Sequence, residues 1–89
     1  MKIKKGFVLR DICGEKVIIA EGLENIDFSK MISLNETAAF LWTASIDMDE
    51  IDENKLCDVL LSEYDVTREQ AIADIRQTLD KWQEHGLVE

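Results

Sequence analysis

The apolar positions follow two rules along the chain. Up to Leu34 they fall in short runs suited to strands, and from Glu36 onward they recur at the spacing of a helix face. Phe7-Val8-Leu9-Arg10 and Lys16-Val17-Ile18-Ile19-Ala20 are rich in branched and aromatic residues. Gly14 lies between them and can supply the positive φ of a tight turn, so the segment predicts a β-hairpin. Gly22 to Asp27 is polar and turn-like. Phe28 to Leu34 predicts a third strand. Phe28, Lys30, Ile32 and Leu34 share one face, and Ser29, Met31 and Ser33 the other. Ile32 and Leu34 are expected to point to the core and Met31 away from it.

The change of rule falls on Leu34-Asn35-Glu36-Thr37, with no Gly or Pro to mark a loop. Asn35 can cap a helix, because its side chain can accept from the free amides of the first turn, and Glu36 suits the positive helix end. Ser33 with Glu36 is a competing capping pair. Ala38, Leu41 and Trp42 follow at helical spacing. A second helix is expected from Asn54 to Tyr64, with Leu56, Val59, Leu60 and Tyr64 as its buried stripe. Thr67 and Gln70 fit a capping box for a third helix, in which Ala71, Ile72, Ile75, Leu79 and Trp82 recur. Gly86 is placed to end it in a left-handed cap, with Leu87 folding back. The order is β-β-β-α-α-α: an α+β fold with a three-stranded antiparallel sheet followed by three helices, expected to form one domain over residues 1–89.

Charge narrows the function. Ten Lys and Arg stand against nineteen Asp and Glu, a net charge of −9. Nucleic-acid binders neutralise phosphates with clustered cations, so this balance argues against nucleic acid and against an anionic membrane surface. Asp47 to Glu53 carries five carboxylates in seven positions. It lacks the central Gly and the ligand spacing of a calcium loop, and reads as a solvated connection between helices. Cys13 and Cys57 have no neighbours at metal-ligand spacing, and His85 is the only histidine. No metal and no cofactor are expected, and the two cysteines are read as buried, reduced thiols. The amino-terminal stretch has basic residues but no secretory apolar region, and no apolar run reaches the length of a membrane span. A cytoplasmic protein is expected. His85 has no nucleophile partner, and there is no Gly-rich phosphate loop. The chain is therefore not expected to be an enzyme.

Three segments, "ISLNETAAFLW", "LCDVLLSEYDVTREQAIADI" and "LDKWQEHGLVE", together resemble the coenzyme PQQ synthesis protein D family. The resemblance covers nearly all of the chain. It implies a winged helix-turn-helix-like fold used for peptide binding. It also implies a non-catalytic recognition element that holds the leader of a ribosomally made precursor peptide for a separate modifying enzyme, often a radical-SAM maturase. The leader would add as a strand to the third strand, in a groove walled by the third helix.

That mode agrees with the chemistry of a strand edge, whose unpaired N–H and C=O groups can take an extended peptide. The candidate peptide-binding residues are Ser29, Lys30, Met31, Ile32 and Ser33 on the strand, with Ile72, Arg76, Leu79 and Gln83 on the helix. Ile72 and Leu79 would serve equally well as core. Two other functions fit the same elements. A winged-helix DNA-binding regulator is disfavoured by the carboxylates of the third helix. A small structural protein would pair its open edge in a homodimer.

Overall fold

The computed structural model describes residues 1–21 and 26–89. Its elements are β1 (Phe7–Ile12), β2 (Glu15–Glu21), β3 (Ile26–Leu34), α1 (Glu36–Ser45), α2 (Glu53–Glu63) and α3 (Arg68–Glu84). The three strands form an antiparallel sheet in the order β1-β2-β3, so the α+β architecture is the expected one. Ile26 and Asp27 extend β3 into the segment expected to turn.

β1 and β2 pair without interruption from Phe7↔Ala20 to Ile12↔Glu15. The loop between them is only Cys13-Gly14, at φ 54° and 83°. Two consecutive positive φ values make the tight hairpin turn whose twist matches its strands. Gly14 was the legible half of that turn. Cys13 occupies the other half and is exposed, which corrects the expectation that both thiols are buried. Cys57 is buried in α2 as expected.

β2 and β3 keep register from Lys16↔Leu34 to Ile18↔Ile32, then lose it. Between Ile18 and Ala20, β2 spends Ile19 alone, while β3 spends Phe28 to Met31 before pairing resumes at Asp27. The strict alternation expected from Phe28 to Leu34 therefore holds only at its carboxyl-terminal end, where Ile32 and Leu34 pack against the core and Met31 is 41% exposed.

Each helix begins on a side-chain cap. Ala38 N–H donates to Asn35 Oδ1 at 2.8 Å, so Asn35 rather than Ser33 starts α1. Asp52 accepts from Asn54 and Lys55 and starts α2. Gln70 N–H donates to Thr67 Oγ1 at 3.1 Å, but the Gln70 side chain turns to Asp74 at 2.9 Å, so the expected capping box closes on one side only. α3 ends as expected. Gly86 has φ 70°, Gly86 N–H donates to Gln83 O at 3.1 Å, and Leu87 N–H donates to Trp82 O at 2.8 Å. This double closure of the last turn puts Leu87 into the core.

The core gathers Ile18 from the sheet, Leu41 and Trp42 from α1, Leu56, Cys57 and Leu60 from α2, and Ala71, Ile75, Leu79 and Trp82 from α3. Trp42 and Trp82 meet edge to face, with centroids 5.3 Å apart. Nothing in the sequence announced how the amino-terminal segment is held. Lys2 and Glu89 exchange backbone bonds at 2.9 and 2.8 Å, and Lys4 N–H donates to Leu87 O at 2.9 Å. The segment thus lies along the carboxyl-terminal residues and not along the edge of β3.

Candidate functional site: the open edge of β3 and its groove

β3 has β2 on one side and, among the described residues, no strand on the other. An open groove of about 310 Å³ runs beside it. Its strand side is Ile32, Ser33 and Leu34, its end is Asn35 and Ala38 of the α1 start, and its far wall is Thr78, Lys81, Trp82 and Glu84 of α3 with His85 at the helix cap. The size lies at the small end of ligand sites. A larger open hollow of about 730 Å³ lies between the β1–β2 hairpin tip and α1, lined in part by Leu9, Lys16, Ala39 and Phe40. The two hollows share Ser33, Leu34 and Asn35. The smaller one is the better peptide site on chemical grounds, because it runs between β3 and the wall of α3.

The expected site residues separate into two groups. Ile32 and Ser33 line the groove, and exposed Met31 lies just before them in the irregular part of β3. The side chains of Ser29 and Lys30 lie outside the described residues. On α3, Leu79 is 6% exposed and belongs to the core, and Ile72 packs against it. Arg76 reaches across to α2, where its Nε donates to Glu53 Oε2 at 3.3 Å. Gln83 is exposed, on the same helical flank as Arg76 and Leu79. Arg76 therefore faces the start of α2, while Thr78, Lys81 and His85 line the groove beside β3. Both flanks border the buried row Ala71, Ile75 and Trp82. The wide apolar sector of the sequence marked core positions and the flank from which Arg76 reaches α2.

The pattern held one usable signal for the other flank: Thr78, Lys81 and His85 recur at three and four. None of the three is apolar, so the apolar pattern of α3 does not pick them out. The cations of α3 divide in the same way. Arg68 donates to Asp58 of α2 at 3.3 Å, and Arg76 is engaged with Glu53. Lys81 lines the groove without an ion-pair partner among the described residues.

The family model for coenzyme PQQ synthesis protein D matches residues 15–88. The chain belongs to the coenzyme PQQ synthesis protein D family. No curated protein matches it. Among solved structures it is similar to that of TbiB1 in complex with the TbiA(beta) leader peptide. The two are 21% identical, with a TM-score of 0.76 over the whole of this chain and 95% of the other. At that identity the likeness shows a shared fold.

Among the described residues, no group of three or more His, Cys, Asp and Glu is placed to hold a metal ion. No described helix is long and apolar enough to cross a membrane. The acidic connection instead serves the fold: Asp52 caps α2, Glu53 holds Arg76, and Glu50 takes the terminal amine of Met1.

Proposed function

We propose that this chain is a non-catalytic recognition module. It binds the leader of a ribosomally made precursor peptide by strand addition to β3 and presents it to a separate modifying enzyme, of the radical-SAM type. The observation that carries the reading is the open edge of β3 beside a groove walled by α3, in a chain of this family. An extended peptide there gains backbone bonds from Ile32 to Leu34, and its side chains lie against Trp82, Ala38 and the polar residues of α3. The solved structure of TbiB1, which has the same fold, holds a leader peptide, and that supports the choice of ligand.

Residues 1–89 act as one module with no cofactor, and its thiols suit the reducing cytoplasm. DNA is the poorer ligand. Two of the three α3 cations are already engaged with α2 carboxylates, and the chain carries a net charge of −9. That charge also opposes pairing with a second copy.

The test is calorimetric titration of the whole protein with the leader encoded by the short open reading frame nearest its gene. Saturable binding between about millimolar and nanomolar affinity is expected. Absence of binding by every neighbouring leader overturns the reading.

A further inference from the structure

Strand addition has a register problem, and the α3 wall carries a solution to it. Backbone bonds are the same at every register, and a slip of one residue turns every peptide side chain to the other face. Something beside the edge must fix the alignment. The carboxyl-terminal end of α3 offers two charges of opposite sign, Lys81 and Glu84, and both line the groove. Among the described residues neither has an ion-pair partner within the groove, and the two do not pair with each other. His85 beside them is the remaining titratable group of the wall.

The spacing fits a strand. Residues three apart on a helix have Cβ atoms about 5–6 Å apart. Side chains two apart on a strand, which share a face, are about 6.5–7 Å apart. The long arms of Lys and Glu absorb the difference. Resting on the peptide-binding reading above, we infer that Lys81 and Glu84 set the register of the bound leader. They do so by taking one acidic and one basic side chain two residues apart.

Ile32 and Leu34 lie across the groove from these charges, which are themselves exposed, so the contact is modest and sensitive to salt. The field of the whole protein, at net charge −9, favours cations everywhere else. An acidic leader residue is therefore tolerated at Lys81 and penalised at other registers. Discrimination of this kind works by rejection as much as by attraction.

The probe is a phage-displayed library of random extended peptides, selected on the whole protein. The selection is run with wild type, Lys81→Gln and the charge-swapped pair Lys81→Glu with Glu84→Lys, each checked for folding by circular dichroism. Lys81 and Glu84 are exposed, so the variants keep the core intact. Wild type is expected to enrich peptides with an acidic and a basic residue two positions apart. The swapped protein is expected to enrich the inverted order. Lys81→Gln should bind the wild-type winners about two- to fivefold more weakly, with the difference shrinking at high salt. Enrichment without a fixed charge spacing, or identical winners for wild type and swap, overturns the register inference and leaves strand addition standing. If no peptide is enriched and no neighbouring leader binds by calorimetry, the peptide-binding reading falls, and this inference with it.

Discussion

β1 and β3 lie at opposite edges of one sheet, yet β1 keeps step with β2 at every residue from Phe7 to Ile12, while β3 keeps step only from Ile32 to Leu34 before the break across Phe28–Met31. Edges invite unwanted strands, and proteins blunt them with charges and bulges. β1 is blunted by charge: Arg10 and Asp11 stand on it, and Lys16 Nζ donates to Asp11 Oδ2 at 2.8 Å across the hairpin. β3 is blunted by its irregularity, which leaves a short regular stretch where the groove lies. The first edge belongs to a scaffold closed by its own turn. The second is limited to a few residues beside a wall that can select what joins it.

Proline at adjacent positions of β3 should break this difference most strongly. Successive backbone N–H groups on a strand point to opposite sides, so of Ile32 and Ser33 one serves β2 and the other faces outward. Of Ile32→Pro and Ser33→Pro, one should lower the denaturation midpoint. The other should stay folded and lose about tenfold or more in leader affinity, because a peptide carbonyl is left unpaired at about 1–3 kcal/mol. Ile32→Val and Ser33→Ala keep the N–H and serve as controls. Hydrogen exchange on the wild-type complex should show slowing at residues 32–34 and none at 7–12. Two folded proline variants that both bind normally would return the two edges to equal standing.

The junction that follows β3 is the next point of leverage. Asn35 stands where a turn would otherwise be needed and lines both hollows. Asn35→Ala should destabilise the fold by about 0.5–2 kcal/mol through the lost cap, measured as a shift of the urea midpoint. A midpoint that does not move would assign the capping role elsewhere.

How much of this was legible in the sequence follows from the range of each interaction. Asn35, Thr67 and Gly86 act on partners within five residues, so side-chain chemistry and spacing foretold their roles. Ile32 and Ser33 were legible as strand positions because period two holds at that end of β3. Arg76 was assigned to the groove because its flank is apolar, but the identity of that flank's neighbour depended on where α2 docks. Cys13 was read as core because thiols usually bury, whereas the two-residue hairpin placed it at the tip. The clasp of Lys2 and Lys4 on Leu87 and Glu89 joins the two ends of the chain and has no local sign.

The smallest effect tests the scaffold edge. Asp11 and Lys16 stand opposite each other in the β1–β2 ladder. The hydrogen bond from Lys16 holds the Asp11 carboxyl below its ordinary value, helped by the Lys16 charge and a backbone bond at Gly14. A lowered folded-state value means the ionised form is the one the fold prefers. The contribution is therefore complete above the ordinary carboxylate range and is lost as pH falls through the lowered value. Asp11→Asn should melt slightly below wild type near neutral pH, and the two curves should converge in acid, where the wild-type carboxyl is protonated as well. Both groups are exposed, so the gap should be small and should narrow with added salt. Thermal melts across the acid range read this directly. A gap that persists unchanged in acid would mean that Asp11 acts through its shape at the turn and not through its charge. The edge of β1 would then lack the electrostatic blunting that sets it apart from β3.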